Sequence, residues 1–391
     1  MPVYDIRAEL ASALGGRSLK KVLLLPPDTT RAHSFAGEVT RELFSLLEGC
    51  HIDVMPALGT HDPMTKQECA DFLGVPYTSV IHHDWRAGIA RLGDVPAALV
   101  SELSGGLMNE PIPVEVNRLL LDPSYNLIVS IGQVVPHEVA GMANYSKNIF
   151  VGCGGDGMIN ATHILSAYHG IERTLGRTDT PVRAVLDYAE DTFIASLPLL
   201  YVMTVVSGDK LSGLFIGRGR RLFEQAAALS RKENIIYAER PFHRVLARLP
   251  AHEYKSTWLA NKAIYRLRLA LAPGARLVVS APGVARFGED ARLDRLIRKY
   301  GYRSREEIIG CIAANEDLRS CLSAAAHIMH SSPEGAFTVT YATPLVTREE
   351  MESVGFGYMG PEEADAFAAD CDAVIDNPAL GLWALRERLA D

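Results

Sequence analysis

Three residues within one stretch, residues 131–170, have side chains suited to chemistry: His137, Lys147 and His163. A lysine with a histidine on each side can supply an amine for covalent attachment, a metal ligand and a base. The stretch reads IGQVVPHEVAGMANYSKNIFVGCGGDGMINATHILSAYHG. Its glycines (Gly141, Gly152, Gly154, Gly155, Gly157) read as loop rather than amphipathic helix, and such a run lets backbone approach a ligand closely. Taken singly, each of the three fits a surface lysine or an ordinary histidine; their company points to a site.

Other polar groups fall at the ends of apolar runs. KVLLL at residues 21–25 reads as a buried strand and runs into Pro26-Pro27-Asp28-Thr29-Thr30-Arg31. Residues 51–58 read as a second strand, followed by Gly59-Thr60-His61-Asp62, and residues 79–81 as a third, followed by His82-His83-Asp84. Open α/β sheets bind ligands just beyond the carboxyl ends of their strands, so three such ends in succession suggest a sheet edge facing a pocket. Local explanations compete. Asp28 or Thr29 can cap the helix that carries residues 39–47, and Thr65 with Glu68 has capping-box spacing. Arginine grips carboxylate or phosphate bidentately, and two histidines can act as acid and base on opposite faces of a substrate.

The elements that must position these groups follow an α/β rhythm. Residues 114–120, 126–131 and 200–206 read as strands, and 182–193 and 222–232 as helices, with glycine turns between 208 and 219. The second half repeats the rhythm, with helices expected at 257–271 and 380–389 and strands at 276–280 and 337–341. The fold class expected is α/β: two α/β domains with largely parallel sheets flanked by helices and an active-site cleft between them. The expected domains are residues 1–225 and 226–391.

Composition sets outer limits. The 391 residues are 48% hydrophobic and 22% charged, with formal net charge −8, an ordinary globular balance. No basic block marks a nucleic-acid or membrane partner. The six cysteines lack CxxC spacing, which fits a reducing cytoplasm and argues against a zinc ribbon. No secretory leader is expected at the N-terminus, and no apolar run approaches the roughly 20 residues of a membrane helix. On these grounds alone an enzyme pocket holding Asp28, Arg31, His83, His137, Lys147 and His163 is expected, with a zinc hydrolase or lyase as open as a racemase.

The motifs resemble the nickel-dependent lactate racemase family and its 2-hydroxyacid racemase and epimerase relatives, over nearly the whole chain. The match is H-x-x-A-G at His137 to Gly141, a lysine ten residues after that histidine (Lys147), and a histidine sixteen after the lysine (His163). Asp28-x-Thr30-Arg31, Gly59-Thr60-His61 and His83-Asp84 accompany it in order. The resemblance implies a nickel-pincer nucleotide, a pyridinium mononucleotide with two sulfur-containing arms that hold nickel. It implies that Lys147 is joined to one arm as a thioamide and that His163 completes the nickel coordination. It implies that His83 and His137 alternate as acid and base on the substrate hydroxyl while hydride moves to and from the pyridinium, so that C2 is inverted. Arg31, with Asp28 beside it, would bind substrate or cofactor phosphate, and Lys262 would approach the substrate.

One departure stands next to the lysine. Lactate racemases usually carry Ser-Gly-Gly there, and this chain has Ala143-Asn144-Tyr145. Tyr145 therefore either reshapes the substrate pocket, towards larger hydroxyacids or sugar acids, or packs structurally. The expected partners are a small 2-hydroxyacid and the proteins that make the cofactor. The alternatives are a zinc hydrolase or lyase using the same histidines, or a relative that binds nucleotide or hydroxyacid without turnover.

Overall fold

The apolar run Lys21–Leu25 forms strand β1, with every residue after the first buried. The computed structural model describes residues 4–389 and divides into two units. One comprises the chain up to Leu165 together with Gly176–Asn234; the other comprises Ser166–Leu175 and the chain from Ile235 onward.

In the first unit β1 pairs in parallel with β2 (His51–Val54) on one side and with a central strand, Leu127–Gln133, on the other. Between them in sequence lie β3 (Ile89–Val95) and β4 (Ile112–Asn117), which form a separate antiparallel pair, so the central strand is β5. After β5 come a small hairpin, β6 (Pro136–His137) and β7 (Gly141–Met142), and then β8 (Leu199–Ser207) and β9 (Lys210–Gly217). The sheet order is β2-β1-β5-β8-β9, parallel except for β9. Alternate residues feed two cores: Leu23, Leu25 and Ile128 face one, and Val22, Leu24, Val129 and Ile131 face the other. A strand buried on both faces must be apolar throughout, which is why β1 and β5 were legible as continuous runs. The chain leaves β1 towards β2 on one side and reaches β5 on the other. The carboxyl ends of β1 and β5 therefore flank a topological switch point, where such sheets open a crevice.

Several expectations change here. Residues 79–81 are not a strand: a single 3₁₀ turn, Tyr77–Ser79, precedes one bridge between Val54 and Val80. The glycines near 213–217 do not make turns but lie in β9, an edge strand, where a Cβ on Gly213 would lie 2.5 Å from Leu229 Cδ2 and one on Gly217 2.9 Å from Leu222 Cδ2. The stretch around His163 is not loop. Once past Gly157 it has no breaker, and Asp156–His169 is a helix.

The preceding glycines serve chain packing rather than approach to a ligand. A Cβ on Gly154 would lie 1.8 Å from the Phe150 carbonyl oxygen, and one on Gly155 2.4 Å from a Glu115 carboxylate oxygen. Gly154→Ala is thus expected to cost about 3 kcal/mol by overpacking against backbone that cannot yield. Urea unfolding measures this, and an unchanged midpoint would return Gly154 to the role of a loop glycine.

The second unit is built on a parallel sheet. Its strands are β10 (Ile235–Tyr237), β11 (Phe242–Arg248), β12 (Leu271–Ser280), β13 (Phe337–Ala342), β14 (Gly357–Met359), β15 (Ala373–Asp376) and β16 (Leu382–Ala384). The main order is β14-β13-β12-β11-β15, and β10 pairs with β16. The helix expected over 257–271 is two short helices, Thr257–Ala260 and Lys262–Leu267. Between them stands fully buried Asn261, whose Oδ1 accepts the Tyr341 hydroxyl at 2.6 Å. The helix expected at 380–389 does not form: Leu382 and Ala384 pair into the β10 edge as β16, between the 3₁₀ turns Pro378–Leu380 and Arg386–Arg388. No helix among the described residues is long and apolar enough to cross a membrane.

Candidate active site

Beyond β1 the chain turns at Asp28. One carboxylate oxygen of this buried residue caps the following 3₁₀ turn, accepting from the Thr30 N–H at 3.1 Å and from the Thr30 hydroxyl. The other accepts from His61 Nδ1 at 2.6 Å, across from the end of β2. Two strand ends are thereby joined. Burial alone would raise the Asp28 pKa, but the His61 contact and the bonds from Thr30 outweigh it and hold the carboxyl below its ordinary value. One oxygen is thus the cap and the other ties Asp28 to His61.

Beyond β5 the hairpin of β6 and β7 presents His137. Its Nδ1 accepts the Val139 N–H at 3.0 Å and the Ala140 N–H at 3.4 Å, so the neutral ring carries its proton on Nε2. After β7 the chain makes an unusual turn, with Asn144 and Tyr145 both left-handed at φ 68° and 56°. Asn144 Nδ2 donates to the Gly132 carbonyl at 2.6 Å, and Asn148 Nδ2 donates to Ser130 Oγ at 2.8 Å and to the Leu25 carbonyl at 3.2 Å. These bonds moor the loop to the carboxyl ends of β1 and β5. Lys147 stands between them and opens a π-helical turn, Asn148–Gly152, a local form common at functional sites.

The Lys147 amine is half-buried and has no hydrogen bond or ion pair within the described residues. Desolvation, reinforced by the charges of Arg31 and Arg183 and opposed by Glu138 and Asp28, lowers its pKa to about 8. His163 is half-buried on the helix Asp156–His169. Its Nδ1–H donates to the Ile159 carbonyl at 2.6 Å, which leaves the lone pair on Nε2. Burial lowers the His163 pKa; the Ile159 carbonyl and Glu138 oppose, and Lys147 adds to the lowering. Asp28, Arg31, Glu138, Lys147 and His163 thus share one electrostatic neighbourhood.

His83 is 4% exposed and held at both ring nitrogens. Its Nε2 is 3.0 Å from the Gly154 carbonyl and its Nδ1 3.0 Å from Asn117 Nδ2. Asn117 Oδ1 already accepts the Leu119 N–H at 3.0 Å, which fixes the orientation of the amide. Hence Asn117 donates to Nδ1, and His83 is the Nε2–H tautomer. Burial lowers its pKa, opposed by the Gly154 carbonyl and by Asp84.

Residues 8–174 match the family described as lactate racemase N-terminal domain. Over that stretch the chain resembles a lactate racemase N-terminal domain. The solved lactate racemase apoprotein from Thermoanaerobacterium thermosaccharolyticum aligns at TM-score 0.72 over 98% of this chain and 89% of that one, at 15% identity, a likeness of fold. A Thermotoga maritima protein of known crystal structure is more similar, 26% identical at TM-score 0.85 over 97% of both chains. No curated protein matches. The family and the α/β fold with mainly parallel sheets point to a racemase-type isomerase.

The charges of Asp28, Arg31 and Glu138 act on Lys147, those of Lys147 and Glu138 act on His163, and His137 lies on the hairpin next to Glu138. His83 is tied to Gly154, just ahead of the His163 helix. Tyr145 packs in the core, stacked on Phe223 with centroids 5.1 Å apart and tilted against Tyr201 at 4.6 Å. That is the packing alternative for its bulk. Its phenol borders a cavity of about 500 Å³ lined by Asp187, Glu190 and Arg220. Lys262, half-buried, opens a short helix of the second unit. Sequence reasoning passed over Glu138, Asn117 and Arg183. The last carried a signal: Arg183, Asp187 and Glu190 recur at helical spacing beside the apolar face of Pro181–Phe193.

The environment of Lys147 has a measurable consequence. Competitive acetylation of cofactor-free protein with acetic anhydride should be half-maximal near pH 8 at Lys147, against roughly 10.4 for an ordinary lysine. Between those values the unfolded chain holds a proton that the folded one lacks, so this group makes stability rise with pH across that window. A midpoint above 10 would show an ordinary, solvated amine.

Proposed function

We propose that the protein is a racemase or epimerase that inverts C2 of a 2-hydroxyacid with a nickel-pincer nucleotide joined covalently to Lys147. The observation that carries this reading is the pairing of Lys147, an unpartnered amine depressed to about 8, with His163, whose Nε2 lone pair is left available. A lysine so depressed is a nucleophile near neutral pH, and a neutral imidazole oriented through Nδ1–H is a good metal ligand. Among the described residues no three His, Cys, Asp or Glu side chains are grouped to hold a metal. A metal bound by His163 would take its remaining ligands from the cofactor, and the donor set fits a nucleotide that brings its own sulfur ligands.

When bound, the nucleotide supplies the nickel centre and the hydride acceptor. The protein does the rest. Arg31 grips the substrate carboxylate or the cofactor phosphate, and Asp28 keeps His61 beside it. His137 and His83 hold and move the hydroxyl proton, one for each enantiomer. Both rings rest as the Nε2–H tautomer, so accepting a proton at Nε2 requires release of the Nδ1 contacts or a turn of the ring. Catalytic hydrogen bonds commonly rearrange in this way when substrate binds. That double tethering of His83 also favours a second reading, a relative that binds the cofactor without turnover.

The test is protein co-expressed with the cofactor-making proteins and assayed for nickel, for mass added at Lys147 and for C2 inversion across 2-hydroxyacids. Nickel, added mass and inversion together support the proposal. Zinc without added mass would replace it with a zinc enzyme, and a loaded protein that exchanges no C2 hydrogen would leave the binder. Arg31→Ala should weaken substrate or cofactor by about 2–5 kcal/mol through loss of a charge-assisted contact. Unchanged KM and cofactor retention would place Arg31 outside the site.

A further inference from the structure

Arg183 is the most thoroughly buried cation of the first unit, 1% exposed, on a helix face it shares with Val182, Val185, Leu186 and Ala189. A charge there is costly to desolvate, the Arg183 Nε has no hydrogen-bond partner among the described residues, and an apolar residue would serve packing as well. Its partners are concentrated. Nη1 donates to Ser146 Oγ at 2.9 Å, and Nη2 donates to the Met142 carbonyl at 2.8 Å and to the Asn144 carbonyl at 3.5 Å. All three belong to the turn that leads directly into Lys147. The guanidinium carbon lies 4.4 Å from the centroid of Phe223, the ring on which Tyr145 stacks. Asp187, one helical turn on, faces Ser146 Oγ at 3.5 Å and is itself gripped by Arg220.

We propose that Arg183 is the positioning residue for Lys147: its guanidinium fork pins the left-handed pair Asn144-Tyr145 and so fixes where the Lys147 amine stands. Two consecutive non-glycine residues in the left-handed region persist only where their surroundings over-determine them. Here the Arg183 fork does so from one side, and the Asn144 bond to Gly132 from the other. The positive charge of Arg183 also contributes to the depressed pKa of Lys147. The inference rests on the reading of Lys147 as the attachment amine, but its geometry is independent of any cofactor.

The experiment uses the full chain without cofactor and follows acetylation of Lys147 by acetic anhydride against pH, with Lys299 as internal reference. Arg183→Met removes fork and charge; Arg183→Lys keeps the charge and loses the fork. Both should move the Lys147 midpoint upward by about one pH unit and cut labelling at pH 8 by up to roughly tenfold, the size of one pKa unit. Added guanidinium should restore the parent profile in Arg183→Ala. Folded Arg183→Met and Arg183→Lys proteins with the parent profile would overturn the inference, as would an Arg183→Lys protein that alone restores it, since charge would then suffice. If these variants fail to fold, Ser146→Ala removes one tine's partner and should shift the profile in the same direction by a smaller amount; no shift overturns the inference. Because no cofactor enters the measurement, a shifted profile in a protein that never acquires the adduct would overturn the proposed reaction and leave this inference standing.

Discussion

Lys147→Ala is expected to yield protein with no covalent adduct and no racemisation, even when made alongside the cofactor-synthesis proteins. On the proposed reading the amine is the nucleophile of attachment, and Lys147 is the lysine whose charge is felt at His163. Lys147→Arg should fail equally, since a guanidinium stays protonated and cannot be acylated under these conditions. His163→Ala separates attachment from metal binding: the added mass should remain while nickel is lost on dialysis. Intact-protein mass and metal content distinguish the two variants. A full adduct on Lys147→Ala would move the attachment site elsewhere, and firm nickel in His163→Ala would remove His163 from the coordination sphere.

His83 and His137 should each contribute about 10²–10⁴-fold to turnover, the usual range for general acid–base groups. Alanine is a poor probe, because each ring also holds structure: His83 clamps Asn117 to Gly154, and His137 accepts two backbone N–H groups. His83→Gln retains a donor for the Gly154 carbonyl, and His137→Asn retains an acceptor for the Val139 N–H in the manner of an Asx turn. Neither side chain can carry the hydroxyl proton. Each variant should keep its loaded cofactor, lose most racemisation, and in a single turnover reduce the cofactor with one enantiomer in preference to the other. The preferences should be opposite in the two variants. The same preference in both would argue against bases on facing sides, and full activity in His83→Gln would leave His83 with its clamp alone.

The amino-acid sequence determined the parts of this protein that rest on local patterning. Continuous apolar runs announced β1 and β5, because a parallel strand buried on both faces admits nothing else. Strand-end placement marked Asp28 and His61, since a sheet's carboxyl edge is where polar side chains find a crevice. The spacing of His137, Lys147 and His163 carried the family likeness. Only the tertiary structure decided what those groups touch. Glycines that read as a ligand loop make room for the nearby Phe150 carbonyl and for Glu115, the latter 40 residues away in sequence. The tautomer of His83 follows from an asparagine 34 residues away, itself oriented by a backbone N–H. Tyr145 packs on Phe223 and Tyr201, which arrive from elements far along the chain, and also borders a cavity. The Lys147 amine has its pKa lowered for the same kind of reason. Its low pKa comes from burial and from arginines at positions 31 and 183, charges brought near it by folding and absent from its own neighbourhood in the sequence.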